Sequence, residues 1–130
     1  MSDARPKVGT VAWIDLTVDD AGAVKDFYRQ VVGWKSEDVD MGDYCDFTMN
    51  APETGEAVAG VCHKQGSNAD LPSKWMIYIV VENVEESAAS CSELGGKVLV
   101  GPKDMGSYGR YCVIEDPAGA TAALFEPAAS

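Results

Sequence analysis

Residues 11–34, Val-Ala-Trp-Ile-Asp-Leu-Thr-Val-Asp-Asp-Ala-Gly-Ala-Val-Lys-Asp-Phe-Tyr-Arg-Gln-Val-Val-Gly-Trp, decide the architecture of this chain. Over residues 10–18, Ala12, Ile14, Leu16 and Val18 alternate with Trp13, Asp15 and Thr17, the two-residue period of a strand with one aliphatic face. The other face sets an indole beside a carboxylate, a pairing foreign to plain core and to plain surface. Asp19 or Asp20 can cap the helix that follows, since a short acidic side chain accepts from the free N–H groups of the first turn. Val24, Phe27, Tyr28 and Val31 then recur at i, i+3, i+4 and i+7, one apolar stripe. Burying Phe27 alone would contribute about 1.5–3 kcal/mol. Gly33 suits the left-handed residue that ends a helix.

Working outward, residues 43–49 predict a strand, Asn50 to Glu56 a turn broken by Pro52 and Gly55, and Ala57 to His63 a second strand. Residues 65–74 are polar and form a linker. Trp75 to Val81 is a β-prone run, and Asn83 with Glu86 makes a capping-box-like start for a second helix with Ala88, Cys91 and Leu94 as its stripe. Gly95-Gly96 stops it. Lys97 to Val100 predicts a short strand, 101–109 a loop, and Arg110 to Ile114 and Thr121 to Phe125 strands joined by a Glu-Asp-Pro-Ala-Gly turn.

The two halves correspond. An offset of 63 takes Val18-Asp19-Asp20 to Val81-Glu82-Asn83 and Gly33 to Gly96, and an offset of 64 takes Met41-Gly42-Asp43-Tyr44 to Met105-Gly106-Ser107-Tyr108. One strand–helix–three-strand unit therefore occurs twice. Two curved sheets facing each other would enclose a cavity.

The 130 residues fit one domain, and 46% hydrophobic content is enough for a core without staples. A net charge of -11, spread along the chain, excludes nucleic acid and anionic membranes as partners, because both are held by Lys and Arg. No run approaches a membrane span, and Met-Ser-Asp-Ala-Arg-Pro-Lys has no apolar signal core, so a cytoplasmic location is expected. Cys45, Cys62, Cys91 and Cys112 show no Cys-x-x-Cys spacing and read as reduced thiols in apolar surroundings.

The sequence resembles the vicinal oxygen chelate superfamily, which includes glyoxalase I, bleomycin-resistance proteins and extradiol dioxygenases. The resemblance rests on Trp13-Ile-Asp-Leu-Thr-Val-Asp-Asp leading into Phe27-Tyr28 and Gly33-Trp34, and on Trp75-x-x-Tyr78 with Val81-Glu82-Asn83-Val84. Gly95-Gly96-Lys97-Val98 and Asp116-Pro117-Ala118-Gly119-Ala120 complete it. It implies an α+β fold of two βαβββ modules forming a curved mixed sheet cleft with helices outside, commonly in homodimers. Module one would run from about residue 8 to 64 and module two from about 75 to 127.

Metal-dependent members of that family take a His, Gln or Glu from each of four strands. By resemblance these positions are Trp13, Gly60, Met76 and Ala123, none of which offers a nitrogen or oxygen a divalent ion would choose. His63 is the only histidine and falls one residue past the inward register. Asp15, Asp43 and Asp46 show no ligand spacing. No metal and no cofactor is expected, within a metal-ligand-less subgroup.

The expected cleft is mostly apolar, lined by Trp13, Asp15, Gly60, Cys62, Met76, Tyr78, Ala123 and Phe125, with Tyr108 and Met105 as a lid from the 101–109 loop. Three functions follow. The first is binding of a small hydrophobic or aromatic molecule, with sequestration of the bleomycin-resistance type implied by resemblance. The second is a cofactor-independent isomerase, lyase or hydrolase in which Asp15, its pKa raised by an apolar cleft, and Tyr78 move protons. The third is a non-catalytic dimer subunit. The bland alternative for Asp15 is a pairing with Arg110 or a hydrogen bond within the sheet.

Overall fold

The computed structural model describes residues 6–66 and 69–128. Residues 1–5 of the N-terminal heptapeptide and residues 67–68 of the linker lie outside the described residues. The elements run β1 (Val11–Val18), α1 (Ala21–Val32), β2 (Lys35–Asp40), β3 (Cys45–Asn50), β4 (Ala57–His63), β5 (Trp75–Val80), α2 (Val84–Glu93), β6 (Lys97–Asp104), β7 (Gly109–Glu115) and β8 (Thr121–Pro127). This is an α+β fold of two βαβββ modules. Two compact units separate, one spanning Trp13–Trp75 and the other holding the segment before Trp13 with the chain from Met76 onward.

In the first unit the strand order is β2-β3-β4-β1, with β4 and β1 parallel and the other pairs antiparallel. Asp20 caps α1, its carboxylate accepting from the Ala23 N–H at 3.0 Å. Gly33 ends the helix at φ 88° and donates its N–H to the Arg29 carbonyl at 3.0 Å. The helix lies on the sheet face made by Phe47, Met49, Ala59 and Val61, with Ala21 buried against them and Val18, Val24, Tyr28 and Trp34 packed around.

The apolar stripe of α1 is only half used. Val24 and Tyr28 meet the sheet, but Phe27 is 57% and Val31 65% exposed, so the expected burial of Phe27 is not realised. The reason is angular: positions 27 and 31 lie on a shoulder turned away from the line through Ala21, Val24 and Tyr28. Tyr28 instead anchors an aromatic cluster, with ring centroids 5.1 Å from Phe27, 5.8 Å from Trp34 and 5.4 Å from Trp75. The Trp75 indole donates to the Tyr28 hydroxyl at 3.1 Å.

In the second unit the order is β5-β8-β7-β6, again with one parallel pair, β5 with β8. Asn83 caps α2 through the Glu86 N–H at 3.0 Å, and the Val84 N–H finds the Glu126 carboxylate at 2.9 Å. Val84, Ala88, Cys112 and Leu124 form the core under the helix. The Gly9 N–H and the Thr10 carbonyl, just before β1, bond to the backbone of Val80. Asp116 closes the β7–β8 turn by accepting from Ala118 and Ala120.

Two strand segments carry no strand signal in the sequence. Lys35–Asp40, Lys-Ser-Glu-Asp-Val-Asp, has no apolar period, yet it forms a full ladder with β3 as an exposed, charged edge. β6 continues past Val100 to Asp104, because register shifts at Val98–Val100 and Val100–Lys103 absorb Gly101-Pro102 as a bulge. Among the described residues no helix is long and apolar enough to cross a membrane.

Candidate functional site

Each module leaves one sheet face turned away from its helix, and strand register fixes what stands on it. In the first, Leu16 pairs with Val61, a residue of the helix-side core, so Asp15 with its partner Gly60, and Thr17 with its partner Cys62, belong to the opposite face. Across β4, Thr48 pairs with Gly60, which adds Thr48, Asp46 and Asn50 from β3 to the same face. Glu37, opposite Thr48 on β2, extends the row.

The centre of that face is Gly60. A Cβ there would collide with the Asp15 carboxylate and come within 3.4 Å of Trp13 Nε1. The glycine makes room for a hydrogen bond in which the Trp13 indole donates to Asp15 Oδ1 at 2.5 Å. Trp13 and Asp15 alternate along one strand, so both lean over the bare backbone of the next. The sequence reading placed indole and carboxylate side by side; the structure joins them. Arg110 meets Glu85 at 2.7 Å and Asp104 at 3.2 Å, and the hydrogen bond to Glu85 leads the causes that favour its protonated form.

Cys62 sits among carboxylates. Burial first, then the charges of Asp15 and Asp46, push its thiol far above the usual range, so it is a neutral donor and not a nucleophile. Asp46 is 5% exposed and accepts from the backbone N–H of His63 at 2.8 Å. His63 Nδ1 lies 3.5 Å from Asp46 Oδ1 without hydrogen-bonding geometry, and its ring packs beside Tyr44 and Phe47.

The corresponding face of the second module is apolar. Tyr78 pairs with Ala123 and Val80 with Phe125, while Val113 and Tyr111 oppose Ala123 and Phe125 from β7. Met76, Tyr78, Val80, Tyr111, Val113 and Ala123 are all buried there. The sequence reading found Met76, Tyr78, Ala123 and Phe125, which the sheet brings onto one face, and missed Val80, Tyr111 and Val113. Tyr108 is not among them: it stands in the turn Gly106–Tyr108 and is 74% exposed. Asp46, Thr48 and Asn50 were also missed as a set, although the alternation Cys45, Phe47, Met49 against them carries the signal.

The four positions that resemblance assigns to metal ligands do not fit that role. Trp13 offers only a donor N–H, already given to Asp15; Gly60 and Ala123 carry no donor atom; Met76 offers a buried thioether. Among the described residues no group of three His, Cys, Asp or Glu is placed to hold a metal ion.

A family model described as the Glyoxalase/Bleomycin resistance protein/Dioxygenase superfamily matches residues 10–124. A Mycobacterium tuberculosis protein provisionally named glyoxylase CFP32 is 34% identical over 123 residues, covering 91% of this chain and 46% of its own length. The anthracycline biosynthesis protein DnrV of Streptomyces peucetius is 30% identical over 132 residues, covering 90% of this chain and 46% of its own length. The chain thus spans about half the length of these relatives. Among solved structures, Streptomyces coelicolor methylmalonyl-CoA epimerase superposes with a TM-score of 0.61 at 16% identity, over 95% of this chain and 97% of that one. Homoprotocatechuate 2,3-dioxygenase from B. fuscum gives 0.60 at 18% identity, over 95% of this chain and 34% of that one. At such identities these likenesses establish the fold alone.

Proposed function

The chain belongs to the glyoxalase/bleomycin resistance protein/dioxygenase superfamily, and we propose that within it this member binds a small hydrophobic or aromatic molecule without a metal ion. The observation that carries the proposal is the Trp13–Asp15 hydrogen bond over Gly60. Two of the four positions where the family places ligands are here given to an indole and to the empty space it needs. The ring is held in a fixed pose by a carboxylate, and a fixed ring is a low-entropy platform for a flat ligand. The apolar face carrying Met76, Tyr78, Ala123 and Phe125 supports the same ligand class. The Streptomyces peucetius relative is named for anthracycline biosynthesis, which accords with a small-molecule role.

A thermal-shift panel of neutral bicyclic aromatics on the purified chain tests this. Stabilisation by some members, with quenching of Trp13 fluorescence, is expected. Faces that serve only as packing surface, the dimer-subunit reading, would give no shift with any member.

A second reading, proton transfer by Asp15 and Tyr78, is favoured by one observation: the Trp13 indole holds the Asp15 carboxylate in place over Gly60. Asp15→Asn would keep binding and abolish turnover in that case. If Asp15→Asn leaves the conversion of every bound compound unchanged, simple binding or sequestration is the function. We also propose that the chain pairs as a homodimer, with exposed Phe27, Val31 and Val32 as candidate contacts. Light scattering on the native chain and on Phe27→Glu reads the difference directly.

A further inference from the structure

We infer that the sheet face of the first module turned away from α1 is a subsite for a hydrogen-bond-donating, cationic group on the ligand, such as a protonated amine. The inference rests on the ligand-binding reading of that face and names the chemistry the face selects.

The row through Gly60 runs Asp15, Gly60, Thr48, Glu37, with Cys62 and Asp46 one row away. Apart from the Trp13 indole, the Cys62 thiol, the Asn50 amide N–H and Lys35 at the edge, the polar groups of this face are acceptors or hydroxyls. Trp13 spends its N–H on Asp15, and Asp46 hydrogen-bonds Cys62. By register the face holds one cation among the described residues, Lys35, at the exposed edge opposite Asn50.

An independent observation points to a missing donor. Asn50 is 8% exposed, and its Oδ1 is buried with no hydrogen-bond partner. Its orientation is fixed, because Nδ2 donates to Glu37 Oε1 at 2.6 Å. Glu37 stands opposite Thr48, so the amide of Asn50 lies on the Gly60 face with its carbonyl unspent. A buried carbonyl without a donor is rare in folded chains and calls for one. A ligand ammonium over Thr48 offers several N–H groups at once to Asn50 Oδ1 and the neighbouring carboxylates, and such charge-assisted bonds are the strong ones. An anionic group there would face carboxylates on three strands, with hydroxyls and the Lys35 ammonium at the edge as its donors. The chain's net charge of -11 adds to that bias.

The test is calorimetric titration of the full chain with 2-naphthylmethylamine, 2-naphthylmethanol and 2-naphthoate, with backbone amide shifts mapped by NMR. The amine should bind about tenfold tighter than the alcohol, as expected for one charge-assisted hydrogen bond, and the carboxylate weakest. Shifts should concentrate at Thr48, Asn50 and Gly60. Asn50→Leu should erase most of the amine's advantage over the alcohol, and Thr48→Val, which spares the buried amide, should reduce it. Naphthoate binding as tightly as the amine, or amine shifts scattered over the acidic surface, overturns the inference. If the alcohol binds at this face and the amine gains nothing, the subsite is wrong and the ligand-binding reading stands. If none of the three moves Trp13 or Gly60, both fall.

Discussion

Replacing Gly60 with alanine puts one methyl group where the Asp15 carboxylate now lies, and the consequence can be worked from the contacts. The new Cβ would collide with Asp15 Oδ1 and press on Trp13 Nε1 at 3.4 Å. The obstructing atom belongs to a side chain, so the carboxylate swings aside and gives up the indole hydrogen bond. A hydrogen bond to a charged group contributes about 1.5–3 kcal/mol, and the half-buried setting argues for the lower end. Alanine offsets about 0.4–1 kcal/mol of that by restricting the unfolded chain. The net loss is about 1 kcal/mol, a fall in Tm of about 4 °C for a chain of this size. Thermal melts measure the fall, and the indole N–H resonance of Trp13, one of three tryptophans, reports the bond itself. The sharper control is the Asp15→Ala background, where Gly60→Ala should be neutral or slightly stabilising because nothing remains to displace. A Gly60→Ala protein with unchanged Tm and an unmoved Trp13 resonance would refute the account of why a glycine stands there.

Other expectations follow from the same geometry. Phe27→Ala should cost about 1 kcal/mol or less in chemical denaturation, against about 3–5 for a core phenylalanine, because the ring is 57% exposed. Asp20→Ala should cost about 1 kcal/mol by removing the α1 cap, seen in the same assay. Burial, first among its causes, pushes the Cys112 thiol from 9.0 up to about 11. The folded chain then keeps a proton that the unfolded chain releases, so the stability present below about pH 9 is lost as pH rises toward 11. The stability difference between the native chain and Cys112→Ala should shrink across that window.

Much of the fold was legible because caps and stops are local. Asp20, Gly33 and Asn83 act where a single residue's chemistry says they should. What escaped was non-local. β2 is a strand because β3 offers it a ladder, not because Lys-Ser-Glu-Asp-Val-Asp favours one. β6 runs through Gly101-Pro102 because a bulge accommodates two breakers that normally end a strand. The exposure of Phe27 depends on how wide a strip of helix the sheet can cover, which periodicity leaves open.

The candidate site divides the same way. Its four ligand positions were readable as lacking donors, and that Trp13 and Asp15 share a face follows from alternation alone. That they bond each other, and that Gly60 is the space that allows it, depends on the parallel pairing of β1 with β4. The polar row of Asp46, Thr48 and Asn50 turned a face expected to be apolar into an acceptor-rich one. Its signal lay in the alternation of β3, but its importance comes from the unpaired Asn50 carbonyl, which only register and hydrogen bonding disclose.

The central claim is that this face takes an aromatic ligand without a metal ion. The most direct measurement is titration of EDTA-treated protein with 2-naphthylmethanol, followed by calorimetry and by the Trp13 indole resonance. The account predicts saturable binding that moves Trp13 and is unchanged when Mg²⁺, Mn²⁺, Ni²⁺ or Zn²⁺ is restored. Binding that appears only with an added divalent ion, or that leaves Trp13 unmoved, would contradict it.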